Sequence, residues 1–234
     1  MTNPVQSIIL DLDDTLIENS SSYINAAEAF SVFMSGLGFS KPEVTREAAR
    51  QDRKTINSHR YGKIHFTGAL VNTYKSLCAK HKKKHSPAVC RQIREAVDKE
   101  FSNPAEIYSG VFDTLYYLKG RGCRVFIMTL GDKREQEAKI IKCGFDTLVE
   151  GWHVAKRKDA SAYSAFVKKN RLDPCNTFMA GNSYKYDILP AKKAGLKTIL
   201  VYHESTWEYE KLSGEVLKNG TLFVKNIKEL MVHF

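Results

Sequence analysis

The order of strand-like and helix-like segments along the chain constrains the fold of this sequence more than any other feature. One short segment, Val5 to Leu10, is apolar and β-branched and ends in the continuous run Ile8–Leu10, as is typical of a buried strand. Helix-like patterns alone fill the stretch that follows, and beyond it strand and helix patterns alternate to the end of the chain. Strands that alternate with helices form a parallel sheet with helices on both faces. We therefore predict an α/β fold with a doubly wound parallel sheet.

The alternating part supplies most of this predicted sheet. Its expected elements, in chain order, are a helix over 109–119, a strand Arg124–Met128, a helix Lys133–Lys142, a strand over 147–152, a helix over 159–170, a strand Thr177–Ala180, a helix Asp187–Lys193, a strand Lys197–Tyr202, a strand Leu222–Val224 and a helix Ile227–Met231. The segment Val5–Leu10 would join them as the first strand of the sheet.

Four predicted helices separate the first strand from the rest of the sheet. Apolar residues recur on one face of each at helical spacing, as with Phe66, Leu70 and Tyr74 in the third helix. Two polar segments flank this stretch: Asn19–Ser22, which can serve as a linker and a helix cap, and Ser102–Pro104, which is interpreted as a second linker. We predict an α/β domain made of residues 1–17 and 106–234, interrupted by an all-helical domain over residues 18–105.

Composition argues for an ordinary folded protein of the cytosol. Hydrophobic residues make up 43% of the 234, but apolar runs are too short to span a bilayer. The segment Met1–Gln6 lacks the charged and apolar regions of a signal peptide. The five cysteines are scattered and form no CxxC pair, which argues against a disulfide framework and against structural zinc. We expect a cytoplasmic protein without a membrane partner.

The net charge of +10 is unevenly distributed. Residues 18–106 contain 15 Lys and Arg against 9 Asp and Glu, a net charge of +6. A basic surface attracts anions, but its sign alone does not choose among nucleic acid, phosphorylated metabolites and anionic lipid. The run Lys80–His85 is short and lacks interleaved aromatic residues. It is therefore interpreted as a solvated loop, and nucleic acid is not the expected partner.

Polar residues of related chemistry follow the strands of the predicted sheet. They are Asp11, Asp13 and Asp14 after the first strand, Thr129, Leu130, Gly131 and Asp132 after the second, Lys156, Arg157 and Lys158 near the third, and Gly181, Asn182, Ser183 and Asp187 after the fourth. Ligands of open parallel sheets bind beyond the carboxyl ends of the strands. A few hard oxygen ligands, completed by water and substrate phosphate, are typical of Mg²⁺. We predict a Mg²⁺-assisted phosphate site at this edge.

These residues resemble the four motifs of the haloacid dehalogenase (HAD) superfamily, in the order of that family and over nearly the whole chain. Asp11–Leu16 resembles the first motif, DxDxT, and Thr129 resembles the second. Lys158 stands where the lysine of the third motif is expected, with Lys156 as the other candidate. Gly181–Asp187 resembles the acidic fourth motif. The resemblance implies a Rossmann-type HAD fold whose helical insert is a C1-type cap.

The resemblance also implies catalytic roles. Asp11 would be the nucleophile that forms an aspartyl-phosphate. Asp13 would protonate the departing alkoxide and then activate the attacking water. The phosphate would be held by a hydroxyl, two backbone N–H groups and an ammonium, from Thr129, Leu130, Gly131 and Lys158.

A Mg²⁺ ion is implied at the same place. Its ligands would be the Asp11 carboxylate, the Asp13 backbone carbonyl and the fourth-motif residues Asn182 and Asp187. Asn182 departs from the family pattern, because many members have Asp there. An amide oxygen can still bind Mg²⁺, but the site loses one formal charge and Asp187 would carry more of the binding.

Asp13 favours phosphatase over dehalogenase chemistry within the family. A departing alkoxide needs a proton, whereas a halide leaves without one. The expected function is hydrolysis of a small phosphorylated metabolite, since a cap that closes over the site would exclude bulk water. Two alternatives remain open, a metal-independent 2-haloacid dehalogenase and a catalytically weak HAD-like binding protein whose site is degenerate through Asn182.

Overall fold

The computed structural model describes residues 6–58, 61–202 and 220–234, and the chain divides into two compact units. The first unit, here called the α/β unit, contains Met1–Glu18 and Ala105–Phe234. The second, the helical unit, contains Asn19–Pro104. None of the described helices is both long and apolar enough to cross a membrane. All five cysteines are free thiols.

Six parallel strands form the sheet in the described part of the α/β unit. They are β1 (Ser7–Leu10), β2 (Arg124–Leu130), β3 (Gly151–Ala155), β4 (Thr177–Gly181), β5 (Lys197–Val201) and β6 (Leu222–Val224). Their order in the sheet is β3-β2-β1-β4-β5-β6, and every neighbouring pair is parallel. The chain thus winds outward from β1 in both directions, which confirms the predicted doubly wound sheet. Val5, the predicted start of the first strand, lies outside the described residues.

Helices cover both faces of this sheet. They are α5 (Val111–Gly120), α6 (Lys133–Lys142), α7 (Ala160–Lys169) and α8 (Leu189–Lys193), and a final 3₁₀ segment spans Ile227–Val232. Successive strand residues point to opposite faces. Accordingly, Ile8 and Leu10 belong to the buried cluster that contains Leu115 of α5, whereas Ile9 belongs to the cluster that contains Tyr163 of α7.

The third strand lies a few residues later than the sequence predicts. Residues 147–152 were expected to form it, but β3 begins at Gly151, which pairs with Phe126 of β2. Phe145–Thr147 instead forms a 3₁₀ turn whose Phe145 side chain is fully buried in the core. Leu148 and Val149, the apolar residues at the start of the predicted strand, follow this turn, and their N–H groups donate to the Phe145 carbonyl rather than to β2.

The chain leaves and re-enters the α/β unit through one short antiparallel contact. Ile17 and Ile107 form an isolated bridge, and the Glu18 N–H donates to the Glu106 carbonyl at 2.7 Å. The Tyr108 N–H also donates to the Leu16 carbonyl, in the loop after β1, at 3.0 Å. The two ends of the helical insert are thus held side by side by backbone hydrogen bonds of the α/β unit itself.

In its described residues, 19–58 and 61–104, the helical unit consists of four helices around its own core. The helices are α1 (Ser20–Gly36), α2 (Lys41–Asn57), α3 (Lys63–Lys80) and α4 (Pro87–Glu100). Asn19 is the N-cap residue of α1 and Ser20–Ser22 forms its first turn, so the interpretation as a helix cap agrees with the structure and the interpretation of the serines as a linker was wrong. The reason is local: serine is acceptable in the exposed first turn of a helix, where backbone N–H groups have no partner within the helix. Side chains that share the core include Phe30, Leu70, Tyr74, Leu77, Ile93 and Val97.

The basic run at the end of α3 makes contacts within the helical unit. Lys80 and His81 both lie against the Glu43 carboxylate of α2, at 2.5 and 3.0 Å. The Lys83 ammonium lies 5.0 Å from the centre of the Phe39 ring, within the range of a cation–π contact. These contacts give several of the basic side chains a structural role.

A pH-dependent contribution to stability is expected from Glu47 in α2. Hydrogen bonds from Arg50 lower the pKa of the Glu47 carboxyl from 4.5 to about 2, although burial acts in the opposite direction. Because the folded pKa is depressed, this stabilisation is present above about pH 4.5 and is lost as the pH falls towards 2. Glu47→Gln should cost about 0.5 kcal/mol at pH 7, and the difference from wild type should shrink below pH 4. Urea unfolding at several pH values measures this difference, and a pH-independent difference would contradict the assignment.

Candidate active site

The loop after β1 carries two carboxylates at the centre of the sheet. The Asp11 N–H donates to the Ala180 carbonyl of β4 at 2.9 Å, so Asp11 continues the ladder between the two central strands. The Leu12 carbonyl then accepts from the N–H groups of Leu16 and Ile17, and the chain turns. Asp11 therefore lies beyond the carboxyl end of β1, where the winding of the sheet changes direction and ligands of such folds bind.

Lys158 joins two buried carboxylates. Its ammonium donates to Asp11 Oδ1 at 2.5 Å and to Asp187 Oδ1 at 2.6 Å. The side chains of Lys158 and Asp187 are 2% and 1% exposed. The structure therefore brings together three residues that follow different strands, whereas Lys156 is exposed.

The charges in this cluster do not balance. Burial and, after it, the nearby Asp187 carboxylate together raise the pKa of Asp11 to about 8, although Lys158 acts in the opposite direction. Burial also disfavours the Lys158 cation, but the two carboxylates outweigh it and raise the pKa of that ammonium. When both carboxyl groups are ionised, two negative charges face the single positive charge of Lys158. An additional cation beside Asp11 would lower the pKa of this carboxyl and favour its ionised, nucleophilic form.

Asp187 is held by the turn that follows β4. Its Oδ2 accepts from the Ser183 N–H at 3.0 Å. A Cβ atom at Gly181 would lie 2.3 Å from the same oxygen, so only glycine leaves room for this carboxylate. The sequence predicts a helix that begins at Asp187. The structure instead places Asp187 inside a π-helical turn, Tyr184–Ile188, and α8 follows it. Such turns are rare and often lie at functional sites.

Asn182 connects the loops that follow the two central strands. Its backbone N–H donates to the Thr15 hydroxyl at 3.1 Å, and the Thr15 hydroxyl lies 3.3 Å from the Asn182 side-chain oxygen. Asn182 is part-buried, next to the buried Gly181. Its amide oxygen therefore has a neutral hydrogen-bond partner in the first-motif loop.

The second predicted motif lies at the carboxyl end of β2. This strand was expected to end at Met128 but continues to Leu130, so Thr129 lies within the strand rather than after it. Thr129 is fully buried, and its hydroxyl accepts a hydrogen bond of 2.6 Å from the side-chain amide of Gln136. Gly131 has a φ of +147°, a conformation that side-chain-bearing residues rarely adopt. Asp132 then caps α6 by accepting from two backbone N–H groups of its first turn. This residue is therefore structural.

Two side chains of α6 that sequence reasoning missed contact Asp13. Gln136 Nε2 donates to Asp13 Oδ2 at 2.7 Å, and Lys139 Nζ donates to Asp13 Oδ1 at 2.8 Å. Burial by itself lowers the pKa of Lys139, but Asp13 and Glu135 outweigh it, so the net shift is upward. A spacing of three residues places Gln136 and Lys139 on one face of the helix. That spacing was the available signal, although polar residues on a helix are usually solvent-facing.

The oxygen donors of the site suit Mg²⁺ in their chemistry. Among the described residues, no group of three or more His, Cys, Asp and Glu side chains could hold a metal ion. Mg²⁺ does not need such a group, because it commonly uses one or two carboxylates together with water and substrate phosphate. Asp11 and Asp187 are two such carboxylates, and the backbone carbonyl of Asp13 and the amide oxygen of Asn182 are further donors. This donor set and the excess negative charge fit the ion.

The close approach of Gly181 to Asp187 predicts a specific cost. Gly181→Ala should destabilise the protein by about 1–3 kcal/mol, because the new methyl group would overlap a buried carboxylate that Lys158 also holds. Gly120→Ala is the matched control, since a Cβ atom there meets no atom within 4 Å. Urea unfolding of both variants measures the effect. Equal stability of the two variants would show that the Asp187 turn can shift freely.

Comparisons with known proteins agree with this fold. The family model described as haloacid dehalogenase-like hydrolase matches residues 5–195. A curated relative, glyceraldehyde 3-phosphate phosphatase of Methanothermobacter thermautotrophicus, is 32% identical over 112 residues, which are 46% of this chain and 48% of the relative. The chain thus matches about half the length of that relative.

Two solved structures share the fold at low sequence identity. A haloacid dehalogenase-like family hydrolase from Xanthomonas campestris has a TM-score of 0.80 at 20% identity, with 98% of this chain and 90% of that chain covered. A predicted phosphoglycolate phosphatase from Haemophilus somnus has a TM-score of 0.62 at 16% identity, with 98% and 97% covered. Because the family model covers most of its length, this chain belongs to the haloacid dehalogenase-like hydrolases.

Proposed function

We propose that this protein is a Mg²⁺-dependent phosphomonoesterase that acts on a small phosphorylated metabolite through an aspartyl-phosphate on Asp11. The observation that carries the proposal is the pairing of Asp11 with Lys158 at the carboxyl end of β1, with Asp13 held nearby by a different lysine. Two carboxylates two residues apart therefore have separate cationic partners. Such an arrangement suits one carboxyl group to nucleophilic attack and the other to proton transfer.

In the first half of the reaction, an Asp11 carboxylate oxygen attacks phosphorus and the bond from phosphorus to the ester oxygen breaks. Asp13 gives its proton to the departing alkoxide, which leaves as an alcohol. Lys158 stabilises negative charge on the phosphoryl group as the bonds change. The Thr129 hydroxyl and the N–H groups of Leu130 and Gly131 supply further hydrogen bonds to its oxygens.

In the second half, Asp13 acts as the base. Its carboxylate takes a proton from water, and the water oxygen attacks the phosphorus of the aspartyl-phosphate. The bond from phosphorus to the Asp11 oxygen breaks, which releases inorganic phosphate and restores the Asp11 carboxylate. Asp13 is again protonated, so the cycle closes without a further co-reactant.

Mg²⁺ would be held by Asp11, Asp187, the backbone carbonyl of Asp13 and the amide oxygen of Asn182. When bound, it supplies positive charge that reduces the repulsion between the nucleophilic carboxylate and the phosphate dianion. Asp187 would carry much of the binding, because Asn182 contributes no formal charge. Lys158 keeps both carboxylates in place for this task.

The substrate class is inferred from two kinds of support. The curated relative and one structural neighbour carry names of phosphatases that act on small phosphorylated metabolites. The helical unit, inserted directly after the first motif, is proposed to be a C1-type cap, and its excess of basic residues suits an anionic substrate. We place the reaction in the cytosol, which is consistent with five free thiols.

Asp13 argues against the dehalogenase alternative. Loss of a halide requires no proton donor, whereas this structure holds Asp13 with two dedicated side chains of α6. The binding-protein alternative requires a site made inactive by Asn182, but an amide oxygen can still bind Mg²⁺. A release of chloride from a 2-haloacid without metal would restore the first alternative.

Hydrolysis of p-nitrophenyl phosphate tests the proposed reaction. Turnover should require Mg²⁺, stop with chelator and fall by at least about a thousandfold in Asp11→Asn, since the amide cannot form the covalent intermediate. Asp14→Asn is the matched control, because Asp14 has a φ of +58°, which asparagine tolerates. This control should retain activity within about threefold. Turnover that persists in Asp11→Asn would contradict the aspartyl-phosphate route.

Calorimetric titration with Mg²⁺ alone tests the ligand assignment. Asp187→Asn should weaken binding by about tenfold or more, and Asn182→Asp should tighten it by a similar factor through the added charge, which corresponds to about 1.4 kcal/mol each. Asp14→Asn should bind as wild type does. Unchanged affinity in both site variants would remove the fourth-motif residues from the ligand set.

A further inference from the structure

A second polar cluster in the α/β unit surrounds Asp13 rather than Asp11. The Gln136 side chain is 2% exposed, and the side chains of Lys139 and Asp13 are 17% and 22% exposed. Each oxygen of the Asp13 carboxyl accepts from a different α6 side chain, Oδ2 from Gln136 and Oδ1 from Lys139. A carboxyl group held at both oxygens from one helix has little rotational freedom.

The Gln136 amide has a fixed orientation. Its nitrogen lies within hydrogen-bond distance of three oxygens, at 2.7 Å from Asp13 Oδ2, 2.6 Å from the Thr129 hydroxyl and 3.0 Å from the Leu130 carbonyl. A flipped amide would place its oxygen against the same three oxygens, and the Leu130 carbonyl among them can never donate. Gln136 therefore presents its N–H₂ group to the site.

This orientation also directs the Thr129 hydroxyl. Because the Thr129 oxygen accepts from Gln136, the hydrogen of that hydroxyl must point elsewhere. Its contact with the Leu130 carbonyl is 3.5 Å long and therefore weak. The hydrogen is thus available to a phosphoryl oxygen. The buried Gln136 amide thus links the Thr129 hydroxyl, the predicted phosphate ligand, to Asp13, the predicted proton donor.

We propose that Gln136 and Lys139 are positioning residues for the Asp13 proton transfer. They hold the Asp13 carboxyl in one orientation, and their donors stabilise the negative charge that develops on Asp13 as it gives up its proton. This inference rests on the proposed function, because it assigns a task to residues around the acid of that reaction. The N-cap Asp132 sets the start of α6, and the three-residue spacing then brings both side chains to Asp13.

The dependence of rate on the leaving group tests this role. p-Nitrophenolate departs readily without a proton, whereas phenolate and an alkoxide gain much more from protonation. Lys139→Met and Gln136→Leu should therefore lower kcat/KM for phenyl phosphate about tenfold to a hundredfold more than for p-nitrophenyl phosphate, within the range of general acid catalysis. Lys139→Arg should lose less of its kcat/KM for phenyl phosphate than Lys139→Met does, because it keeps the positive charge.

Lys142→Met provides the matched control. Lys142 lies on the same helix but is exposed, so its loss should affect both esters equally and only slightly. Circular dichroism and urea unfolding of each variant establish whether it is folded. Equal losses on both esters in folded Lys139→Met and Gln136→Leu would overturn the positioning role and leave both residues as structural.

A double-variant comparison provides an independent criterion. In an Asp13→Asn background, Lys139→Met should cause no further change in the ratio of the two rates, because its effect passes through Asp13. If Lys139→Met still lowered the rate on phenyl phosphate relative to p-nitrophenyl phosphate in this background, the inference would be overturned. Absence of any Mg²⁺-dependent turnover by the wild type on either ester would instead overturn the proposed function, and this inference with it.

Discussion

The bridge of Lys158 between Asp11 and Asp187 is the interaction on which the rest of the site depends. A buried charge without a partner is costly, and removal of one partner of a buried ion pair typically costs about 3–5 kcal/mol. Here Asp11, Lys158 and Asp187, from three segments of the chain, lie in contact in one buried cluster. The turn after β4, the start of α7 and the loop after β1 must therefore adopt mutually compatible positions. Gly181 contributes by leaving space for Asp187.

The division of the acidic residues into two environments is the second organising feature. Leu12 is fully buried between Asp11 and Asp13, and the two carboxyl groups have different lysine partners. Asp11 lies deeper, with a side chain 10% exposed, and Asp13 lies nearer to solvent at 22%. A difference of environment is the usual way in which neighbouring carboxyl groups take distinct chemical tasks.

Much of the fold could be predicted from the sequence because strands and helices alternate with clear periods. The grouping of the candidate site residues could be predicted by the same logic, since Asp11, Asn182 and Asp187 follow parallel strands and Thr129 lies one residue before the end of β2. The start of β3 could not be predicted, because Leu148 and Val149 resemble strand residues in sequence although their N–H groups bond to the 3₁₀ turn before them.

Other features of the site leave weaker traces in a single sequence. The π-helical turn around Asp187 has no local sequence period that would mark it. The roles of Gln136 and Lys139 depend on which face of α6 is turned towards the sheet edge. Polar residues in a helix give no such information, because they are usually exposed. Only the packed structure distinguishes these two from Lys142 on the same helix.

The antiparallel contact between Ile17 and Ile107 has an evolutionary consequence. Because the α/β unit itself holds the two ends of the insert together, the sheet does not rely on the insert to close the gap between them. Insertions are tolerated where their ends are already adjacent and few other contacts must change. A helical insert could therefore be shortened, extended or exchanged over generations while the residues around Asp11 stay in register. The chemistry and its selectivity would then be able to diverge separately.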